Sequence, residues 1–152
     1  MNVQQFLRQR NVVFSSLDHE AAYGAQGVAQ AVHVSGDRVA KAVLLKSGGD
    51  YALAVVPATH TIELAPAARA WGVRKAQLAS EEDCGKLFAD CELGALPPFG
   101  SQYGVKTLLD RRLLEDEEIV FEGNTHHEAV RMRLKDFVEI EKPTVARFSQ
   151  HV

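Results

Sequence analysis

Apolar positions recur at helical spacing at the start of the chain, where Val3, Phe6 and Leu7 stand among Gln and Arg, and this predicts a short amphipathic helix over 3–10. Val12-Val13-Phe14 is a brief β-branched and aromatic run, read as a strand. Val28, Ala31 and Val32 share one face between residues 26 and 34, predicting a second helix that stops at Ser35-Gly36-Asp37. The run 38–46 is the clearest strand, turning through Ser47-Gly48-Gly49-Asp50 into 51–56 to make a β-hairpin that Pro57 ends. A short strand over 59–62, a helix over 64–71 closed by Gly72, and a strand over 73–79 follow. Ser80 then caps an acidic first turn and opens a helix through Phe88.

The second half reads as strands over 106–110, 118–121 and 129–133, a polar turn over 111–116, and a helix over 134–140 stopped before Pro143. Several connections are too short for a parallel crossover. The expected fold class is therefore α/β of the α+β kind, with a mixed, largely antiparallel sheet and helices packed around it. At 152 residues the chain is read as a single domain spanning 1–152.

Two positions break the binary pattern. Period 2 on the first hairpin strand puts Lys41 on one face with Val39, Val43 and Leu45, so its ammonium either reaches a pocket or snorkels to an edge. The stretch Gly94-Ala95-Leu96-Pro97-Pro98-Phe99-Gly100-Ser101 is rigid at its prolines and open at its glycines. It suits a pocket wall in which the amides of Phe99, Gly100 and Ser101 face a ligand, Gly100 leaves room for a substrate carbonyl and Phe99 forms an apolar floor. It equally suits a tight connection with Phe99 buried in the core.

Bulk composition narrows the function. The net charge of −3 excludes a global basic field, so contact with nucleic acid must be local. Three basic clusters are available: Arg69, Arg74 and Lys75; Arg111 and Arg112; and Arg131, Arg133 and Lys135. Nothing approaches the roughly 18–20 uninterrupted apolar residues of a membrane span, and no signal peptide is visible, which leads to a cytoplasmic expectation without a membrane partner. Cys84 and Cys91 read as free thiols, and the six histidines have no metal-binding spacing, so neither metal nor cofactor is expected. The absence of a Gly-x-Ser-x-Gly elbow disfavours a covalent acyl-enzyme.

The order of these features resembles the YbaK family, the editing domains related to the insertion domain of bacterial prolyl-tRNA synthetase. The resemblance spans roughly 12–140 and rests on Val39-Ala40-Lys41-Ala42-Val43-Leu44-Leu45, on Gly94 to Gly100, and on Gly123-Asn124-Thr125-His126. It implies a freestanding hydrolase that deacylates mischarged aminoacyl-tRNA, with the tRNA acceptor end as partner and an aminoacyl-tRNA synthetase as a further one. The implied catalytic residues are Lys41, Gly100, Ser101 and His126, and those implied for substrate binding are His19, Gly94, Pro98, Phe99, Gly123 and Thr125. An aminoacyl ester is already activated, so a positioned water, donors for the oxyanion and a selective pocket suffice. A non-catalytic aminoacyl-nucleotide or synthetase-binding module and a small-molecule esterase remain as alternatives. The residues do not indicate which amino acid or tRNA is read, or the oligomeric state.

Overall fold

The computed structural model describes residues 1–18 and 38–152. The predicted helix over 26–34, its stop at Gly36, and His19 lie outside the described residues. The fold is mixed α+β. A five-stranded sheet has the order β5 (Gln77–Leu78), β2 (Ala40–Ser47), β3 (Asp50–Pro57), β6 (Lys106–Asp110) and β9 (Thr144–Ala146). Its β2–β3 and β2–β5 pairs are antiparallel, while β3–β6 and β6–β9 are parallel. A second, antiparallel sheet places β8 (Glu128–Arg133) between β1 (Phe14–Asp18) and β7 (Glu118–Glu122). It meets the first through a parallel bridge between Val39 and Val120. A small pair joins β4 (His60–Ile62) to β10 (Ser149–His151).

Local chemistry explains most of these boundaries. Helix α1 (Val3–Gln9) begins in a capping box between Asn2 and Gln5 and buries Val3, Phe6 and Leu7. The helix α2 (Leu64–Trp71) ends at Gly72, whose φ of 85° is the left-handed conformation that glycine adopts without steric cost. In α3 (Glu81–Leu87) the Ser80 hydroxyl accepts from the Asp83 amide and three acidic residues occupy the first turn. The last helix, α4 (Leu134–Glu141), runs to the residue before Lys142.

The large sheet is covered on both faces. Leu45, Ala52, Ala54, Val56 and Leu108 pack on one side against Ala67 of α2 and Phe148. On the other, Ala40, Val55 and Leu109 meet α1, α4 and the second sheet around Phe99, while Leu44 and Leu53 meet Phe88.

Sequence reading and structure part at three places. The first strand starts at Phe14, after Val12 and Val13, and the strand expected over 73–79 shrinks to Gln77–Leu78 because only that segment pairs with β2. Strands β9 and β10 were not anticipated: three residues each, with polar side chains in β10, they carry too little pattern to be distinguished from loop.

Candidate active site

The Gly94–Ser101 loop is a wall whose polar atoms are largely committed to the protein. Glu141, at the end of α4, accepts from the Ser101 amide (2.8 Å) and hydroxyl (2.8 Å), and from the Thr107 hydroxyl on β6 (2.8 Å). The Gly100 amide donates in turn to the Thr107 oxygen at 3.0 Å. Burial pushes the Glu141 carboxyl above its ordinary range, and the hydrogen bonds from Ser101 and Thr107 pull it part of the way back.

The amides after Pro98, expected to serve as oxyanion donors, are for the most part engaged within the protein. Those of Gly100 and Ser101 already have protein acceptors, and among the described residues the Phe99 amide alone of the three has none. Gly100 leaves no room for a substrate carbonyl either. A Cβ there would stand 2.5 Å from Thr107 Oγ1 and 2.8 Å from the Val105 carbonyl, so glycine is required by packing. Phe99 is fully buried rather than a pocket floor, its ring 5.4 Å from Phe6, 5.7 Å from Phe121 and 5.1 Å from Phe137. Pro98 is buried beside it, whereas Gly94 is exposed with φ of 85°.

Gly94 lies against His126: a Cβ on Gly94 would stand 3.5 Å from His126 Cε1. The imidazole itself is buried and faces protein on both sides. Nε2 lies 2.7 Å from the Leu93 carbonyl, and since a carbonyl only accepts, Nε2 carries a proton. Nδ1 lies 3.0 Å from the buried carboxylate of Glu122. Burial raises the Glu122 carboxyl to about 7, against the pull of His126. The His126 amide adds a bond to Glu92 Oε2 at 3.2 Å. Nε2 thus ties His126 to the 92–94 segment, while Nδ1 lies close to Glu122 Oε2 without the geometry of a hydrogen bond.

The other residues of that segment are structural in their contacts. Gly123 is buried where a Cβ would meet Val130 at 3.3 Å and Val3 at 3.4 Å. Asn124, at φ of 73°, accepts from the Val3 amide at 2.9 Å and so ties α1 to this loop. The Thr125 hydroxyl accepts from the His127 amide at 3.2 Å and bonds Glu128 at 3.4 Å.

Lys41 behaves differently. Register pairs it with Val56, as Val43 pairs with Ala54 and Leu45 with Ala52, which puts it on the sheet face that α2 covers. Phe99 packs against Val55, on the other face. The lysine strand and the loop thus belong to opposite faces of one sheet. Lys41 is partly buried, desolvation lowers its pKa, and among the described residues it has no hydrogen-bond or ion-pair partner.

Glu122, Thr107 and Glu141 were missed from the sequence. A signal existed for Glu141: with Leu134 and Phe137 it lies on the buried stripe of α4, a polar intruder in the same sense as Lys41. Glu122 follows three buried residues of β7 and is itself buried, but its partner is identified only by the fold. Among the described residues no three His, Cys, Asp or Glu converge on a metal-sized site, and no helix is long and apolar enough to cross a membrane.

The chain and its fold are similar to those of known proteins. The chain is 28% identical over 147 residues to the multifunctional Ser/Thr-tRNA deacylase ProXp-y of Escherichia coli (strain K12), covering 93% of this chain and 87% of that protein. Its fold superposes on a proposed trans-editing enzyme for prolyl tRNA synthetase with a TM-score of 0.85 at 23% identity, over 97% of this chain and 94% of the other. It also superposes on the hypothetical protein APE2540 with a TM-score of 0.89 at 18% identity, over 97% and 99% of the two chains. The pattern of the aminoacyl-tRNA editing domain matches residues 19–140, and the chain belongs to that family.

Proposed function

We propose that this chain is a trans-editing hydrolase that removes wrongly attached amino acids from tRNA by hydrolysing the aminoacyl ester. The observation that carries the reading is Lys41: an ammonium partly withdrawn from water, with no protein counter-charge among the described residues, at the head of a strand. Withdrawing a cation from water without a partner costs free energy, and a substrate that brings negative charge recovers it. Lys41 then stabilises the charge that develops on the ester oxygen as water attacks, an interaction stronger in the transition state than in the ground state. Gly100, Ser101 and His126 act as positioning residues, holding the loop through Glu141, Thr107 and Glu122.

Ser-tRNA and Thr-tRNA are the first substrates to test, because the curated relative is named for them. The experiment is a deacylation panel over tRNAs mischarged with Ser, Thr, Ala or Cys, run beside the corresponding free aminoacyl esters. The expected result is rapid hydrolysis of at least one mischarged tRNA and slow hydrolysis of the free esters. Binding without turnover would make the chain a recognition module, and equal rates on free esters would make it a small-molecule esterase.

A further inference from the structure

On the Lys41 face of the large sheet, the parallel strands β6 and β9 end beside a cleft of about 520 Å³ lined by Arg111, Arg112, Arg147, His60 and His151, with Asp110, Glu115 and Ser149 also in its wall. We propose that this cleft binds a backbone phosphate of the RNA whose aminoacyl end Lys41 receives; the proposal rests on the tRNA reading above.

The cations are available. Arg111 and Arg147 are exposed and, among the described residues, have neither hydrogen-bond nor ion-pair partners, while Arg112 pairs with Glu115. The buried carboxylate in the wall is already engaged: Asp110 accepts from the Arg112 amide (2.9 Å), the Phe148 amide (3.0 Å) and the Ser149 hydroxyl (2.8 Å). Because the Ser149 hydrogen points to Asp110, the serine oxygen accepts at 2.9 Å from His60, whose Nδ1 must carry the proton. The His151 ring meets the His60 ring edge-on at 5.7 Å. An anion entering here finds guanidinium forks suited to phosphate oxygens, beside two imidazole rings.

Placement links the cleft to the reaction. Lys41 pairs with Val56, Asp110 is one step beyond the Val55–Leu109 pair, and Asp110 pairs with Ala146. The four residues form one row across the sheet, and strands about 4.8 Å apart put Lys41 and Asp110 roughly 10 Å apart. The row lies at the carboxyl ends of β3, β6 and β9, where open α/β sheets commonly receive ligands. In a chain of net charge −3, a local site of this kind supplies what the overall charge does not.

The test measures binding of a labelled, uncharged tRNA across a salt series, for the native protein, for Arg111→Glu/Arg147→Glu, and for Lys86→Glu on α3 as a control for net charge. Melting curves confirm that each variant is folded. The double variant is expected to bind about tenfold or more weakly at about 0.15 M salt, with the slope of log affinity against log salt reduced by about 1–2. KM for mischarged tRNA should rise while kcat at saturation stays within about twofold. Native affinity and slope in the double variant would overturn the proposal. So would AMP binding that the double variant loses while its tRNA affinity is unchanged, which would make the cleft a mononucleotide site. Turnover with tRNA affinity intact in the variant would refute the cleft and leave the deacylase standing. Cleft-dependent tRNA binding without turnover of any mischarged tRNA would do the reverse.

Discussion

The Gly94–Ser101 loop and the head of β2 stand on opposite faces of one sheet, and their polar atoms have opposite fates. In the loop, Glu141, Thr107 and the Glu122–His126 pair take up most of the hydrogen-bonding capacity. At the head of β2, Lys41 is drawn partly out of water and given no partner among the described residues. A glycine- and proline-rich loop can therefore be indispensable to a site and still be scaffold, whereas an unpaired cation on an apolar strand face has little to do for the fold.

Substitutions at four positions test that contrast, beginning with the largest expected effect. Lys41→Ala should lower deacylation by at least about a hundredfold, roughly 3 kcal/mol of transition-state stabilisation, while the melting temperature holds or rises slightly. The sign follows from desolvation: a depressed lysine pKa means that the charged form costs stability at neutral pH, and alanine removes that cost. Near-native deacylation in this variant would move the chemistry elsewhere. Lys41→Arg should also be impaired, since a planar fork does not replace a compact ammonium.

Glu141→Ala should instead act on the fold. It leaves the Ser101 amide and the Thr107 hydroxyl without their acceptor, at about 2–3 kcal/mol, or about 4–12 °C in melting temperature for a domain of this size. Activity should track the folded fraction; a large kcat loss at a temperature where the variant is fully folded would put Glu141 in the chemistry. Gly100→Ala forces a Cβ against Thr107 and Val105, and overpacking of this kind costs about 1–3 kcal/mol. Stability and rate should again fall together, and a folded, inactive Gly100→Ala protein would return the loop to the catalytic role first expected of it.

The smallest effect concerns pH. A carboxyl raised from 4.5 to about 7 binds its proton more tightly in the folded state, so its contribution is present below about pH 4.5 and lost as pH climbs to about 7. Above that, the buried Glu122 carboxylate carries its charge where burial penalises it. Glu122→Gln removes that titration by replacing the carboxyl with a neutral amide of the same shape. The difference in melting temperature between native protein and variant should therefore shift in favour of the variant as pH rises from about 5 to about 8. A difference that stays flat with pH would mean that burial does not raise the Glu122 carboxyl into this range.

How far the sequence reading reached follows from the same physics. The β2–β3 hairpin, α2 and its Gly72 stop, and the capped α3 were legible because their signals are local: alternation, a left-handed glycine, a serine cap. Lys41 stood out because one charged residue broke an apolar alternation. The true duties of Gly100 and Ser101 were not legible, since they depend on Thr107 and on Glu141, forty residues beyond Ser101. His126 was singled out on the resemblance, but its contacts, with the Leu93 carbonyl and beside the Glu122 carboxyl, are ones that spacing does not reveal.

The order in which the strands are synthesised has a consequence for the making of the protein. Strand β9 docks on β6, β10 docks on β4, Phe148 closes the α2-covered face, and the donors from Phe148 and Ser149 satisfy Asp110. Residues 144–151 thus arrive on the ribosome after everything they close upon. Until they emerge, the nascent chain carries an open sheet edge and an uncapped buried carboxylate at the same spot, and depends on its surroundings to keep it from pairing with the wrong strand. Ribosome-stalled chains lengthened stepwise across this segment should gain protease resistance abruptly, once Ser149 has left the exit tunnel.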